Sequence, residues 1–342
     1  MDIGQMTSYD QAAWRESMKI LHAPPRQIIP AAIRGRTAAT TALVSRKASE
    51  LPGADGVKET VDAVFHGTLN VTFLPALQSA SATRTVAKYA KRHPEVRSLE
   101  DVQGLPLRTR DQMVPAKAGY TLASAGQGGA TAIAVTGAEV ATTVSGGVAG
   151  GVVIAAVAAD AVSSLAMMGR TVGVIASRYG YDPRIPEEEL FAMGVLSVGL
   201  AGTVGAKTQA LASLSRLSQR MMRRATWKEL QSHVLVKVTD KVYRQLGLRL
   251  THRKLAQTIP VVGVAINASL SAQITEATFR RAQAVYRLRA LSETYGIDPT
   301  EWMKAPAPHG AAAPVDDSNT VDVLEVLEAE LVEESETGRH DV

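Results

Sequence analysis

The sequence predicts an all-α protein: a single multi-helix bundle with tightly packed Gly/Ala-rich central helices and a flexible C-terminal tail. Three observations lead there. Apolar residues recur at helical spacing along almost the whole chain, and no run alternates as a strand would. Only 4% of residues are aromatic although 46% are hydrophobic. Alanine, valine, glycine and leucine must then build the core, which favours close helix packing, and 342 residues are enough chain to bury one.

The elements follow from periodicity and breakers. Tyr9 to His22 reads as a helix stopped by Pro24 and Pro25, and Ile28 to Glu50 as a second, ending before Pro52 and Gly53. Val57 to Lys91 holds a third and a fourth, broken at Pro75, and His93 to Val114 is polar and reads as an irregular connection. Three long apolar helical segments come next: Thr131 to Ser177, Glu187 to Arg224 and Leu255 to Ser292. A basic helix from Trp227 to His252 separates the last two. "APAPHGAAAPVDDSNT" reads as a linker, with an amphipathic helix from Val321 to Glu334 beyond it. The chain divides accordingly into an N-terminal helical part (1–110), a helical core (111–304), a Pro/Ala linker (305–320) and an acidic tail (321–342).

The stretch "VSGGVAGGVVIAAVAADAVSSL" tests the membrane alternative. Twenty uncharged residues separate Glu139 from Asp160, the length of a bilayer crossing. Six valines and one isoleucine supply roughly −2 to −4 kcal/mol of insertion free energy. Glycines, hydroxyls and Asp160, at about 2.5–3.5 kcal/mol if deep, cancel that gain. Spacing says more. Thr143, Gly147, Gly151, Ala155, Ala159 and Ser163 draw one ribbon of small side chains, matched by Gly263, Asn267, Ser271 and Thr275. These read as facing surfaces of a close-packed helical core.

Charge is unevenly spread. Val315 to Val342 carries ten acids against one base, Arg339. The rest holds 36 bases and 23 acids, a net of +13 within a chain of net charge +4. Such a body suits an anionic membrane surface or an acidic partner. There is no cysteine, hence no disulfide or thiolate metal site, and the opening "MDIGQMTSYD" lacks an apolar run, so a cytoplasmic location is expected.

Catalytic patterns are missing. In "GLAGTVGAKT", Ala206 separates Gly205 from Lys207, so a phosphate loop fails, and "GQGGAT" lacks the third glycine of a dinucleotide fingerprint. The seven histidines are scattered, with no pair at zinc spacing and no nucleophile elbow. No catalytic residue, metal or cofactor is therefore expected. Asp160 is the one carboxylate interrupting an apolar face. Arg178 lies on the same face but about 27 Å away along a straight helix, so the partner of Asp160 must come from another helix.

The segment "DAVSSLAMMGRTVGVIASRYGYDPRIPEEELFAMGVL" resembles the signature region of the EcsC family of bacterial helical proteins. The matching positions are Asp160, Arg170, Tyr179, Gly180, Tyr181, Asp182 and Glu187 to Glu189. The later "TIPVVGVAINASLSAQITEATFRRAQAVYRLRAL" is similar to its second signature, through Ile259, Pro260, Gly263, Asn267, Ala282, Tyr286 and Arg289. The resemblance covers Ala130 to Leu291 well and the first 110 residues loosely. The family takes its name from a gene beside an ABC-type exporter. The resemblance thus implies an all-helical fold and a link to the membrane, and assigns no reaction.

Two functional expectations follow. In the first, a non-enzymatic helical protein associates peripherally with the cytoplasmic membrane or an exporter. Its contact is a basic stripe of Arg216, Arg220, Arg223, Arg224 and Lys228, opposite Leu214, Leu217, Met221 and Met222. The acidic tail is then expected to fold back and mask the stripe. In the second, a soluble enzyme or ligand-binding protein gathers Asp160, Arg170, Tyr181 and Asn267 in one cleft. Nucleic acid is not expected as a partner, because aromatic residues are not interleaved with the bases. In "YGYDPRIPEEELF", Gly180 suits a left-handed helix end, and Pro186 with three glutamates suits the start of the next helix.

Overall fold

A computed structural model describes residues 5–24, 72–116, 119, 149–201, 203–223, 237–238, 241–247, 250, 263–304 and 323–337. All regular structure among the described residues is helical, as the sequence predicts. In chain order the helices are α1 (Ser8–His22), α2 (Leu74–Gln78), α3 (Ala82–Ala90), α4 (Leu99–Gly104), α5 (Leu107–Gln112), α6 (Ala149–Arg178), α7 (Pro186–Leu200), α8 (Val204–Arg223) and α9 (Gly263–Tyr295). A 3-10 helix (Pro299–Met303) and α10 (Val323–Thr337) follow, and residues 237–238, 241–247 and 250 are helical as well.

The centre of the bundle is α7. From Leu190 to Gly199 every residue is buried, because α6, α8 and α9 surround the helix. Helix α1 lies along α9, the 3-10 helix brings the fully buried Trp302 against α8, and α10 covers α8 and part of α7. Close approach occurs between α2 and α6. A Cβ on Gly173 would lie 2.1 Å from the Leu77 carbonyl oxygen, and one on Gly169 would lie 2.7 Å from the Phe73 ring.

Several expectations need correction. Pro75 sits in the first turn of α2, where its missing N–H costs nothing, and the chain just before residue 72 lies outside the described residues. The stretch from His93 to Val114 is not irregular, since it holds α4 and α5. The short α4 is started by a capping box in which Ser98 and Asp101 each accept from the other's backbone N–H. Glu187 to Arg224 is two helices rather than one. Thr203 restarts the chain as α8, its hydroxyl accepting from Ala206 N at 3.1 Å.

The small-residue ribbon can be followed only at Ala159 and Ser163, which are exposed. Thr143 and Gly147, and the surroundings of Gly151 and Ala155, lie outside the described part, and the tight contact is made by Gly169 and Gly173. Those glycines lie ten residues further on, about 80° round the helix. On the matching stripe Thr275 is buried, while the Gly263, Asn267 and Ser271 side chains lie outside the described part. The predicted helix 28–50 and the linker 305–320 also lie outside the described residues. Among the described residues, no helix is long and apolar enough to cross a membrane.

Candidate functional site: the charged corner after α6

Helix α6 ends in a paired hydrogen-bond cap. Gly180 N donates to Ser177 O at 3.1 Å, and Tyr181 N donates to Ala176 O at 3.0 Å. Gly180 has φ +94°, and a Cβ there would also meet Leu99 O at 2.7 Å. Its carbonyl accepts from Gln103 Nε2 at 2.8 Å, which ties the cap to α4. Asp182 accepts from the backbone N and the guanidinium of Arg184, which holds its carboxyl below the usual range and closes the turn. Pro186 and Glu187 to Glu189 then open α7, as expected.

That cap sends Tyr179 and Tyr181 into two ionic clusters. In the first, Arg289 of α9 forms a bidentate pair with Glu188 at 2.6 and 2.7 Å and donates from Nε to Glu293 at 2.9 Å. Its guanidinium lies 4.0 Å from the Tyr181 ring centroid and 4.4 Å from that of Phe191. The Tyr181 hydroxyl donates to the other oxygen of Glu293 at 2.7 Å. Beside them, Tyr286 packs against Tyr179, Tyr181 and Phe191.

The second cluster is centred on Asp111 of α5. One carboxylate oxygen accepts from the Tyr179 hydroxyl and from Arg287 Nε at 2.9 Å, the other from the Tyr9 hydroxyl at 2.7 Å. Arg287 also reaches Glu16 of α1 at 2.9 Å. Four elements, α1, α5, the end of α6 and α9, are thereby fastened together.

The electrostatics describe a scaffold. Burial, reinforced by Asp111, pushes Tyr9 up to about 12. Burial likewise raises Tyr179 and Tyr181 well above the ordinary tyrosine value. Arg287 and Arg289 are raised: burial opposes them, but their anionic neighbours prevail. These shifts all move away from neutral pH, so these groups hold fixed charges and donors and do not exchange protons near pH 7.

Of the expected cleft residues, Asp160, Arg170 and Tyr181 do not meet, and the Asn267 side chain lies outside the described part. Asp160 is buried and engaged in a polar contact of its own, while Arg170 is exposed. Tyr181 lies beyond the far end of α6, and the 18 residues from Asp160 to Arg178 span about 27 Å. Asn267 and Gly263 belong to the first turns of α9, and Pro260 lies outside the described residues. Of the basic stripe, Arg216 and Arg223 are exposed and Arg220 half-buried on α8, with Leu214 and Leu217 buried opposite, while Arg224 and Lys228 lie outside the described residues.

Sequence reasoning missed Asp111, Arg287, Glu188 and Glu293 as partners, because their meeting depends on α5 and α9 crossing the corner. It also missed the buried cations Arg281 and Lys207, which helix-end carbonyls hold. Arg281 NH1 donates to the carbonyls of Val198, Gly199 and Ala201 at the C-terminus of α7. Lys207 Nζ donates to Ile20 O and Ala23 O at the C-terminus of α1. A signal for the second was present, since Lys207 interrupts the apolar face of α8.

Comparison with known proteins gives one match. The sequence model of the EcsC protein family covers residues 45–291, most of the chain and both signatures quoted above. No curated protein and no solved structure matches. With the helical bundle and the tyrosine corner in hand, the chain belongs to the EcsC protein family.

Proposed function

We propose that this chain is a non-enzymatic helical protein that associates peripherally with the anionic inner face of the cytoplasmic membrane, through the arginine face of α8. The observation that carries this reading is the pairing of that face with an acidic helix. Arg216, Arg220 and Arg223 line one side of α8. On α10, Glu328 pairs with Arg220, and the buried Glu330 pairs with Lys241. Val323 and Leu327 of α10 are buried against the bundle. An acidic helix seated on a basic surface is an internal stand-in for an anionic partner. It supports a switch in which lipid headgroups and α10 compete for the same arginines.

Flotation with neutral and with anionic liposomes, at low and high salt, tests the reading. Salt-sensitive flotation with anionic lipid alone is expected, and it is expected to strengthen in an E325Q/E328Q variant, whose substitutions leave the buried Val323 and Leu327 in place. Flotation that ignores salt or lipid charge overturns the arginine-face contact. Absence of flotation, with capture by a membrane protein instead, transfers the face to a protein partner such as an exporter.

A further inference from the structure

Arg110 on α5 is 3% exposed, yet among the described residues its side chain makes no ion pair and no hydrogen bond, and its enclosed Nε has no acceptor. A buried guanidinium without a counter-ion is strongly disfavoured, and such a group calls for an explanation. The carboxylate next to it in sequence does not supply one, because both oxygens of Asp111 are taken by Tyr9, Tyr179 and Arg287.

Toward α3 the surroundings of Arg110 are cationic, while its charge also reaches the Tyr181 hydroxyl, which is bonded to Glu293. Arg178, the buried last residue of α6, donates from NH1 to Thr85 Oγ1 on α3 at 3.1 Å, and Thr85 bonds in turn to Ser177 Oγ at 3.1 Å. The charges of Arg178 and Arg110 both act on the buried Tyr89 hydroxyl, which donates to Arg178 O at 2.6 Å. Arg178 also lies near enough to Lys88 to lower its pKa, with Lys91 and Arg84 adding to the effect. From Ala82 to Arg92 there are four basic residues, Arg84, Lys88, Lys91 and Arg92, all exposed, and no acid. An exposed basic helix face therefore leads to two buried arginines and a hydroxyl.

We propose that Arg110, Arg178, Lys88 and Thr85 bind a phosphate group between α3, α5 and the end of α6. Guanidinium forks present paired donors that match phosphate oxygens. A phosphomonoester carries close to two negative charges near pH 7, enough to compensate Arg110 together with the exposed Lys88. The site shares no residue with the α8 face, so it stands independently of the membrane reading above. The same phosphate chemistry is offered by a soluble phosphate ester and by a phosphatidic acid headgroup.

The test uses the full chain. Titration calorimetry and thermal unfolding with inorganic phosphate, against chloride at matched ionic strength, are expected to show saturable binding and a raised melting temperature. The R110Q variant is expected to lose binding by roughly tenfold or more while keeping its helical circular dichroism. K88A, changed at an exposed position, weakens binding and leaves unliganded stability as it was. Wild-type protein that responds alike to phosphate and chloride, or R110Q and K88A that bind phosphate as wild type does, overturns the site. Vesicles containing phosphatidic acid separate the two sources. Phosphate-competed flotation that R110Q abolishes assigns the headgroup, and phosphate binding without such flotation assigns a soluble ester.

Discussion

Arg289 and Arg110 are the same residue type, almost equally buried at 5% and 3% exposure, in opposite electrostatic circumstances. Arg289 has a bidentate carboxylate, a second carboxylate on Nε and two aromatic faces. Arg110 has no such partner among the described residues. Burial therefore does not distinguish a structural arginine from one awaiting a ligand. Completeness of the counter-charge does.

The comparison can be broken at its strongest point. Glu188→Ala leaves the Arg289 guanidinium without its bidentate partner in a desolvated site, with an expected cost of about 3–5 kcal/mol by denaturant unfolding. A cost well under 1 kcal/mol would mean that Glu293 and the two rings suffice. Arg110→Met is expected to act in the opposite direction. With no anion present, removing an uncompensated charge leaves stability unchanged or raises it by about 1–4 kcal/mol. A loss as large as that of Glu188→Ala would show that Arg110 has an internal partner in solution.

Lys207 is an intermediate case, a buried cation held, among the described residues, by neutral carbonyls. Burial, with Arg281 nearby, lowers its pKa to about 7 from 10.5. Between those values the unfolded chain holds a proton that the folded chain has released. Its contribution to stability therefore rises with pH from about 7 to 10.5 and is flat below. His22, itself lowered by burial, is the neighbouring titratable group. The difference in unfolding free energy between wild type and Lys207→Met, followed across pH 6 to 10, should carry this slope, and a pH-independent difference would refute it. The smallest effect is expected at the surface, where Arg220 and Glu328 are both more than a third exposed. Glu328→Gln should change stability by less than about 1 kcal/mol, falling further in salt.

The legible parts of this protein are those set by neighbours in sequence. Gly180 ahead of Pro183 and Pro186 announced a helix end and a new start, because a left-handed cap and a proline-led first turn need only a few adjacent residues. The apolar period of α1 and the basic face of α8 were legible for the same reason. Short elements were less so. Helices α4 and α5 lie in polar sequence, and their stability comes from the Ser98 capping box and from burying Val102 and Leu107 against other elements.

By itself, the sequence determined the helical class, the family signatures and the turn at Gly180, since these follow from local backbone preference and spacing. Tertiary structure decided which charges are answered. Asp111, Glu188, Glu293, Arg287 and Arg289 meet across as many as 176 residues, and Arg110 is left out of that pairing. No spacing rule can express this, because a counter-charge is defined by distance in space, and only the crossing of α5, α7 and α9 sets that distance.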